Sequence, residues 1–297
     1  MNRVTTLVNS RKVAPWVFLA PFLILFIVFK VFPVVLAVLM SFQKIQGINT
    51  GVFNGTANYE ALASNVRFGV ALRNTTVYTI ATLLVLIPIP LVIAVLLDSG
   101  RVVKATVFRT ILFLPALTSL VVVGSVFRAV LTPTGLLNSA LAQFGLQPQR
   151  WLEVADLAIP SLVLLAVWRW TGINIIYFNS GLVNISKEFY EAASIDGANP
   201  FQLFWHITLP LLRPTTLFVV ILSIIGGFQV FVEPYILYPG GQSPGDGGLS
   251  LAYLIYRTAF NSFNLGSAAA MGVILALIIF ILSLIQFRFF GAFQREG

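Results

Sequence analysis

The amino-acid sequence predicts an all-α integral membrane protein with six transmembrane helices, and three observations carry that prediction. Hydrophobic residues make up 58% of the 297 positions and charged residues only 9%, where a soluble domain is about 25% charged. Six mostly apolar runs recur along the chain, each meeting the roughly 20 residues that a helix needs to cross the hydrocarbon core. The segments between them are short, which leaves no room for a separate soluble domain. Cysteine is absent, excluding a disulfide framework, a thiolate metal site and a cysteine nucleophile. The net charge of +8 is spread over too few charges to form a basic stripe for nucleic acid. In a membrane chain it carries topology instead.

The first run, 16–42, is too long for a signal-peptide core and no small-x-small cleavage site follows it, so it is expected to stay in the mature protein. The others are placed at 75–97, 110–131, 158–182, 215–237 and 268–290. Pro33, Pro88 and Pro90 fall inside spans and predict kinks or local unwinding, which membranes tolerate when neighbours satisfy the freed backbone groups. Lys30, Arg128, Arg169 and Glu233 lie inside or near the ends of spans, where an ionised group is costly unless it snorkels, pairs or faces water. For Lys30 and Arg128 the favoured reading is structural, a long side chain reaching an interface or lining an inner face without touching a solute. The sequence therefore divides into a short tail (1–15), a six-helix membrane domain (16–290) and a second tail (291–297).

Lys and Arg set the orientation, because cytoplasmic loops carry an excess of them. With both termini inside, the inner segments hold nine in 66 residues and the outer ones five in 88. Arg3, Arg11 and Lys12 precede the first span directly. Both termini are thus expected in the cytoplasm.

The inner segment 183–214 is long for a connection and reads as two short helices. Ser186 is placed to cap the first, and Gly197 to end it through a left-handed turn. Asn199 is placed to cap the second with Pro200 at its first position, and Pro210 and Pro214 are expected to close it. Ala192 and Ala193 give a small-residue face that lets a partner surface approach closely, while Glu191 and Asp196 offer charge-assisted bonds at its edge.

Glu191-Ala192-Ala193, with Asp196-Gly197-Ala198 after it and then Ile207-x-Leu209-Pro210, resembles the EAA loop of the permease subunits of bacterial ABC importers. With Phe204 it is similar to the carbohydrate-uptake branch that handles maltose, oligosaccharides and glycerol-3-phosphate. Asn58-Tyr59, Arg73-Asn74-Thr75, Phe113-Leu114-Pro115 and Tyr256-Arg257-Thr258-Ala259-Phe260 extend the resemblance along nearly the whole chain. It implies the type I importer permease fold in a bacterial cytoplasmic membrane. It also implies that Glu191, Ala192, Ala193, Asp196, Gly197, Ala198, Ile207, Leu209 and Pro210 belong to a coupling helix docking in a cleft of an ATPase subunit. The implied partners are a second permease subunit, two ATPase subunits that bind ATP and Mg, and an extracytoplasmic solute-binding protein, which the outer loop starting at Pro239-Gly240-Gly241 would face.

The chain itself carries no phosphate cradle, since none of its five Lys follows Gly. His206 is the single histidine and has no clustered carboxylates in sequence, so neither a metal site nor catalysis is expected. A transport path should instead show polar groups recurring on one helix face. Trp170, Asn174, Tyr177 and Gly181 follow that spacing, and Gln229 and Glu233 lie four apart beyond Gly226-Gly227. Amides, a carboxylate and aromatic rings suit a sugar, although the same Asn and Gln serve equally well as helix–helix glue. The expected function is a non-catalytic subunit of an ATP-driven sugar importer; the alternative is an ion-coupled secondary carrier, for which Glu233 is the candidate relay. A phosphate ester would want a basic pocket and Arg169 is the one mid-span candidate, which favours a neutral sugar.

Overall fold

The computed structural model describes residues 13–47, 51–100, 102–238 and 242–291. Arg3, Arg11, Lys12, Arg101, Arg295 and Pro239-Gly240-Gly241 lie outside the described residues. Among the described residues, four helices are long and apolar enough to cross a bilayer singly: α1 (Ala14–Ser41), a run Val66–Asp98 that divides into α3 (Val66–Leu86) and α4 (Pro88–Asp98), α8 (within Ala155–Val183) and α14 (Leu265–Gly291). Two bent pairs pass the same test taken together: α5 (Ala105–Leu117) with α6 (Leu120–Val130), at 99°, and α10 (Pro200–Leu211) with α11 (Arg213–Phe228), at 66°. Shorter helices are α2 (Ala57–Ala63), α7 (Leu136–Gln143), α9 (Lys187–Ile195), α12 (Val232–Leu237) and α13 (Leu251–Tyr256).

The described chain forms two compact units. One holds the residues up to Ser64 with Ile255–Ile274; the other holds Asn65–Leu254 and everything from Leu275 on. In the first, α1 has no buried residue before Ser41 and carries a π-helical turn, Ile27–Val31, just ahead of Pro33. A proline there removes an N–H from the ladder, and the wide turn absorbs the mismatch. A two-residue hairpin follows, β1 (Gln43–Lys44) against β2 (Val52–Phe53). Asn58 Nδ2 donates to the carbonyls of Ser41 and Gln43, and the Tyr59 hydroxyl donates to Ser41 Oγ. The Asn58-Tyr59 pair is therefore a clasp on the end of α1.

In the second unit α8 (Ala158–Val183) is the central post. It packs on α3, α4, α5 and α11, while α11 also packs on α3 and α12 on α6. One buried cluster joins Tyr78, Phe127, Leu162, Leu165 and Leu237; another joins Leu91, Ala94, Ile175, Phe178 and Val219. Gly172 permits the closest approach, because a Cβ there would overlap the Leu112 carbonyl of α5. The outer faces stay apolar and exposed, as in Leu84, Ile111, Val121 and Val122, which suits hydrocarbon in place of water.

The interruption expected at Pro88 and Pro90 is present: the run 75–97 divides at Ile87, because these prolines cannot donate to the carbonyls four residues back. Two other span expectations are corrected. The run 110–131 turns sharply where Thr118 and Ser119 adopt extended backbone (ψ 147° and 128°), three residues after Pro115. The run 215–237 stops at Phe228, and Glu233 belongs to the separate helix α12.

Candidate functional site

The polar stripe of α8 faces a cavity of about 440 Å³. Trp170, Asn174, Tyr177, Gln229 and Glu233, placed by spacing on two different segments, all line it. The break after Phe228 is what brings Gln229 and Glu233 inward: the chain leaves α11, turns, and re-enters a helix with Glu233 in its first turn. Helix α3 supplies Tyr78 and Thr82, and α11 supplies Ser223 and Gly226. Spacing alone would not single out Tyr78 and Thr82, which sit four apart on an otherwise unremarked apolar run. Gly226 has open space where a Cβ would stand, whereas a Cβ on Gly227 would press on Thr79 at 2.7 Å. One glycine thus widens the cavity and its neighbour lets α11 approach α3.

Asn174 also bonds within the protein. Its Nδ2 donates to the Leu86 carbonyl at 2.9 Å. The two readings of its amide, glue and lining, hold together in one side chain. Arg169, 9% exposed, donates from Nη1 to the Thr118 carbonyl at 2.7 Å and lies 5.2 Å from the Trp170 ring centroid. It caps the C-terminal end of α5, where a cation is favoured by the helix dipole. Arg128 does the same for α12, its guanidinium donating to the Ile236 carbonyl. Among the described residues, the cavity is lined by one carboxylate and no Lys, Arg or His. Such a surface accepts hydrogen bonds from hydroxyls and stacks on apolar ring faces.

At the far end of α8 the loop 183–214 forms the expected pair of short helices with their caps and turn, and departs from expectation at Pro210. Ser186 Oγ accepts from the Glu188 N–H at 3.3 Å. Gly197 sits at φ +82°, and the Ala198 N–H closes the turn on the Ala193 carbonyl at 2.9 Å. Asn199 and Gln202 exchange reciprocal backbone bonds of 2.9 and 2.8 Å as a capping box ahead of Pro200. Pro210 does not close this helix; α10 passes through it to Leu211, and Pro214 opens the next helix. The Tyr190 hydroxyl and Thr208 Oγ1, 3.0 Å apart, tie the two helices together. Glu191, Ala192, Asp196 and Gly197 are exposed on this knob. Ala193, Asp196, Gly197, Ala198 and Ile207 line a shallow hollow with His206, while Leu209 and Pro210 stand on the α10 end.

Residues 61–294 match the family described as binding-protein-dependent transport system inner membrane component. Over 290 residues the chain is 45% identical to the arabinooligosaccharides transport system permease protein AraP of Bacillus subtilis (strain 168), which covers 97% of this chain and 92% of that one. It is 32% identical over 284 residues to the lactose transport system permease protein LacF of Rhizobium radiobacter, covering 95% and 94%. The fold matches, with a TM-score of 0.82 and 23% identity over 96% of each chain, a chain of a bacterial alginate ABC transporter in complex with alginate pentasaccharide-bound periplasmic protein.

Proposed function

Because the chain belongs to the family of binding-protein-dependent transport system inner membrane components, we propose that it forms part of the membrane path for a neutral oligosaccharide, of the arabinose-containing kind carried by the AraP relative. The observation that carries this reading is the cavity: aromatic faces from Trp170, Tyr177 and Tyr78, amides from Asn174 and Gln229, the Glu233 carboxylate, and no cation in its lining among the described residues. A sugar ring is recognised by stacking and by hydroxyl bonds of this type. The substrate passes between this chain and a second permease subunit, having been delivered by an extracytoplasmic binding protein.

Two ATPase subunits, which hold ATP and Mg, power the step from the cytoplasmic side, where both termini also lie. Glu191, Ala192, Ala193, Asp196, Gly197 and Ala198 form the docking knob, and Ile207, Leu209 and Pro210 brace it. Its helix continues through α10 into α11, and its other end joins α8, so motion of the knob is passed to both walls of the cavity. The test is gentle affinity purification of the chain from its native membrane, followed by reconstitution. Recovery of a second permease and an ATPase, with ATP-driven uptake of labelled arabinotriose in the presence of the binding protein, supports the reading. Uptake of glycerol-3-phosphate in place of arabinotriose overturns the substrate, and recovery of the chain alone with no ATP hydrolysis overturns the assembly.

A further inference from the structure

A second hollow, of about 340 Å³, lies beside the first along the same two helices. The cavity is lined on α8 by Trp170, Asn174 and Tyr177; the second hollow is lined by Tyr177, Gly181 and Asn184. These positions advance by three or four residues and so follow one face of the helix toward the loop 183–214. On α11 the order runs the same way, with Gly226 and Leu222 at the cavity and then Phe218 and Thr215 at the second hollow. Tyr177 is the one residue that lines both. Its ring meets Phe218 edge to face, with centroids 5.3 Å apart, at the boundary between them.

We propose that Tyr177 and Phe218 form the seal between the sugar cavity and an exit vestibule, and that this pair parts when α8 and α11 are moved by the loop they flank. Three features support it. The pair joins the two helices that lead into and out of the loop, so a change in their separation acts first on the contact between them. Gly181 and Thr215 meet one turn further on, where a Cβ on Gly181 would overlap Thr215 Oγ1, so the helices are hinged close together just beyond the seal. Phe218 is 49% exposed, which leaves its ring free to swing without unpacking a core. An edge-to-face ring pair adds a modest directional attraction to its buried area, which holds a closed state and can be broken on each cycle.

This inference rests on the transport reading, and the test separates the two. The reconstituted native complex is loaded with labelled arabinotriose, and efflux is followed without ATP. The wild type should show ATP-driven uptake and negligible leak; its failure to take up the sugar would defeat the transport reading and leave the seal without a function. Given wild-type uptake, Phe218→Ala should raise the ATP-independent leak at least tenfold in complexes that assemble normally, and Phe218→Tyr should restore the seal. Because the chain has no cysteine, a Tyr177→Cys/Phe218→Cys pair gives a second readout that does not depend on sugar binding: the unbridged pair should leak like Phe218→Ala, bridging by a short bifunctional thiosulfonate should close the leak, and reduction should reopen it. A Phe218→Ala leak equal to wild type, or a leak in the cysteine pair that bridging leaves open, overturns the seal.

Discussion

Asn174 Nδ2 donates to the Leu86 carbonyl at 2.9 Å, and Pro90 is the reason that carbonyl is available. In an unbroken helix residue 90 would donate to residue 86, but proline has no N–H to give. A side chain from α8, buried to 5% exposure, therefore completes the backbone of the α3–α4 junction.

Replacing Asn174 with Leu leaves that carbonyl bare in a buried setting. The expected cost is about 1–3 kcal/mol of stability, seen as a lowered melting temperature of the detergent-solubilised protein. Asn174→Gln, which can still donate, should lose less than Asn174→Leu.

Arg169→Met removes the charged cap on α5 at Thr118. Hydrogen bonds to charged groups contribute roughly 1.5–3 kcal/mol, so thermal unfolding should shift down by that equivalent. Arg169→Lys should recover part of the loss, since it keeps the charge at the helix C-terminus without the planar fork.

The glycines separate by position. Gly172→Ala drives a methyl into the Leu112 carbonyl, and Gly227→Ala presses on Thr79; each should cost about 1–3 kcal/mol through overpacking. Gly226→Ala meets open space and should leave the melting temperature unchanged. Parallel melts of the three variants check the ordering.

On the proposed docking knob, Gly197→Asp places a side chain at φ +82°, a conformation that costs about 1 kcal/mol outside glycine, and adds charge at the turn. Ala193→Arg fills the small-residue face directly. Both should cut ATP-driven uptake by more than tenfold while the chain still inserts and melts near its normal temperature. Normal uptake in both would dismiss the knob as the docking element.

Much of this was readable from residue spacing. The run 158–182 foretells α8 to within a residue, because its apolar length and its boundaries agree. Ser186, Gly197 and Asn199 mark their turns because each residue type has a local backbone reason to be there. Trp170, Asn174 and Tyr177 meet at the cavity because helical spacing puts them on one face of α8, whereas Gln229 and Glu233 reach it through the break after Phe228. The bends at Thr118 and after Phe228 were not legible: an apolar run looks the same whether it is one helix or two, and Pro115 alone gives no angle. The roles of Arg128 and Arg169 were hidden as well, since a cap is defined by a carbonyl far away in sequence.

Those distances carry a consequence for biosynthesis. The Leu86 carbonyl is completed by a residue 88 positions later, the Thr118 carbonyl by one 51 positions later, and the Ile236 carbonyl by one 108 positions earlier. A ribosome emits α3 and α5 well before α8, so the Leu86 and Thr118 carbonyls are made before the side chains that complete them. The final pairing of these two main-chain groups is therefore reached only once the fourth long hydrophobic stretch, 158–182, has joined them.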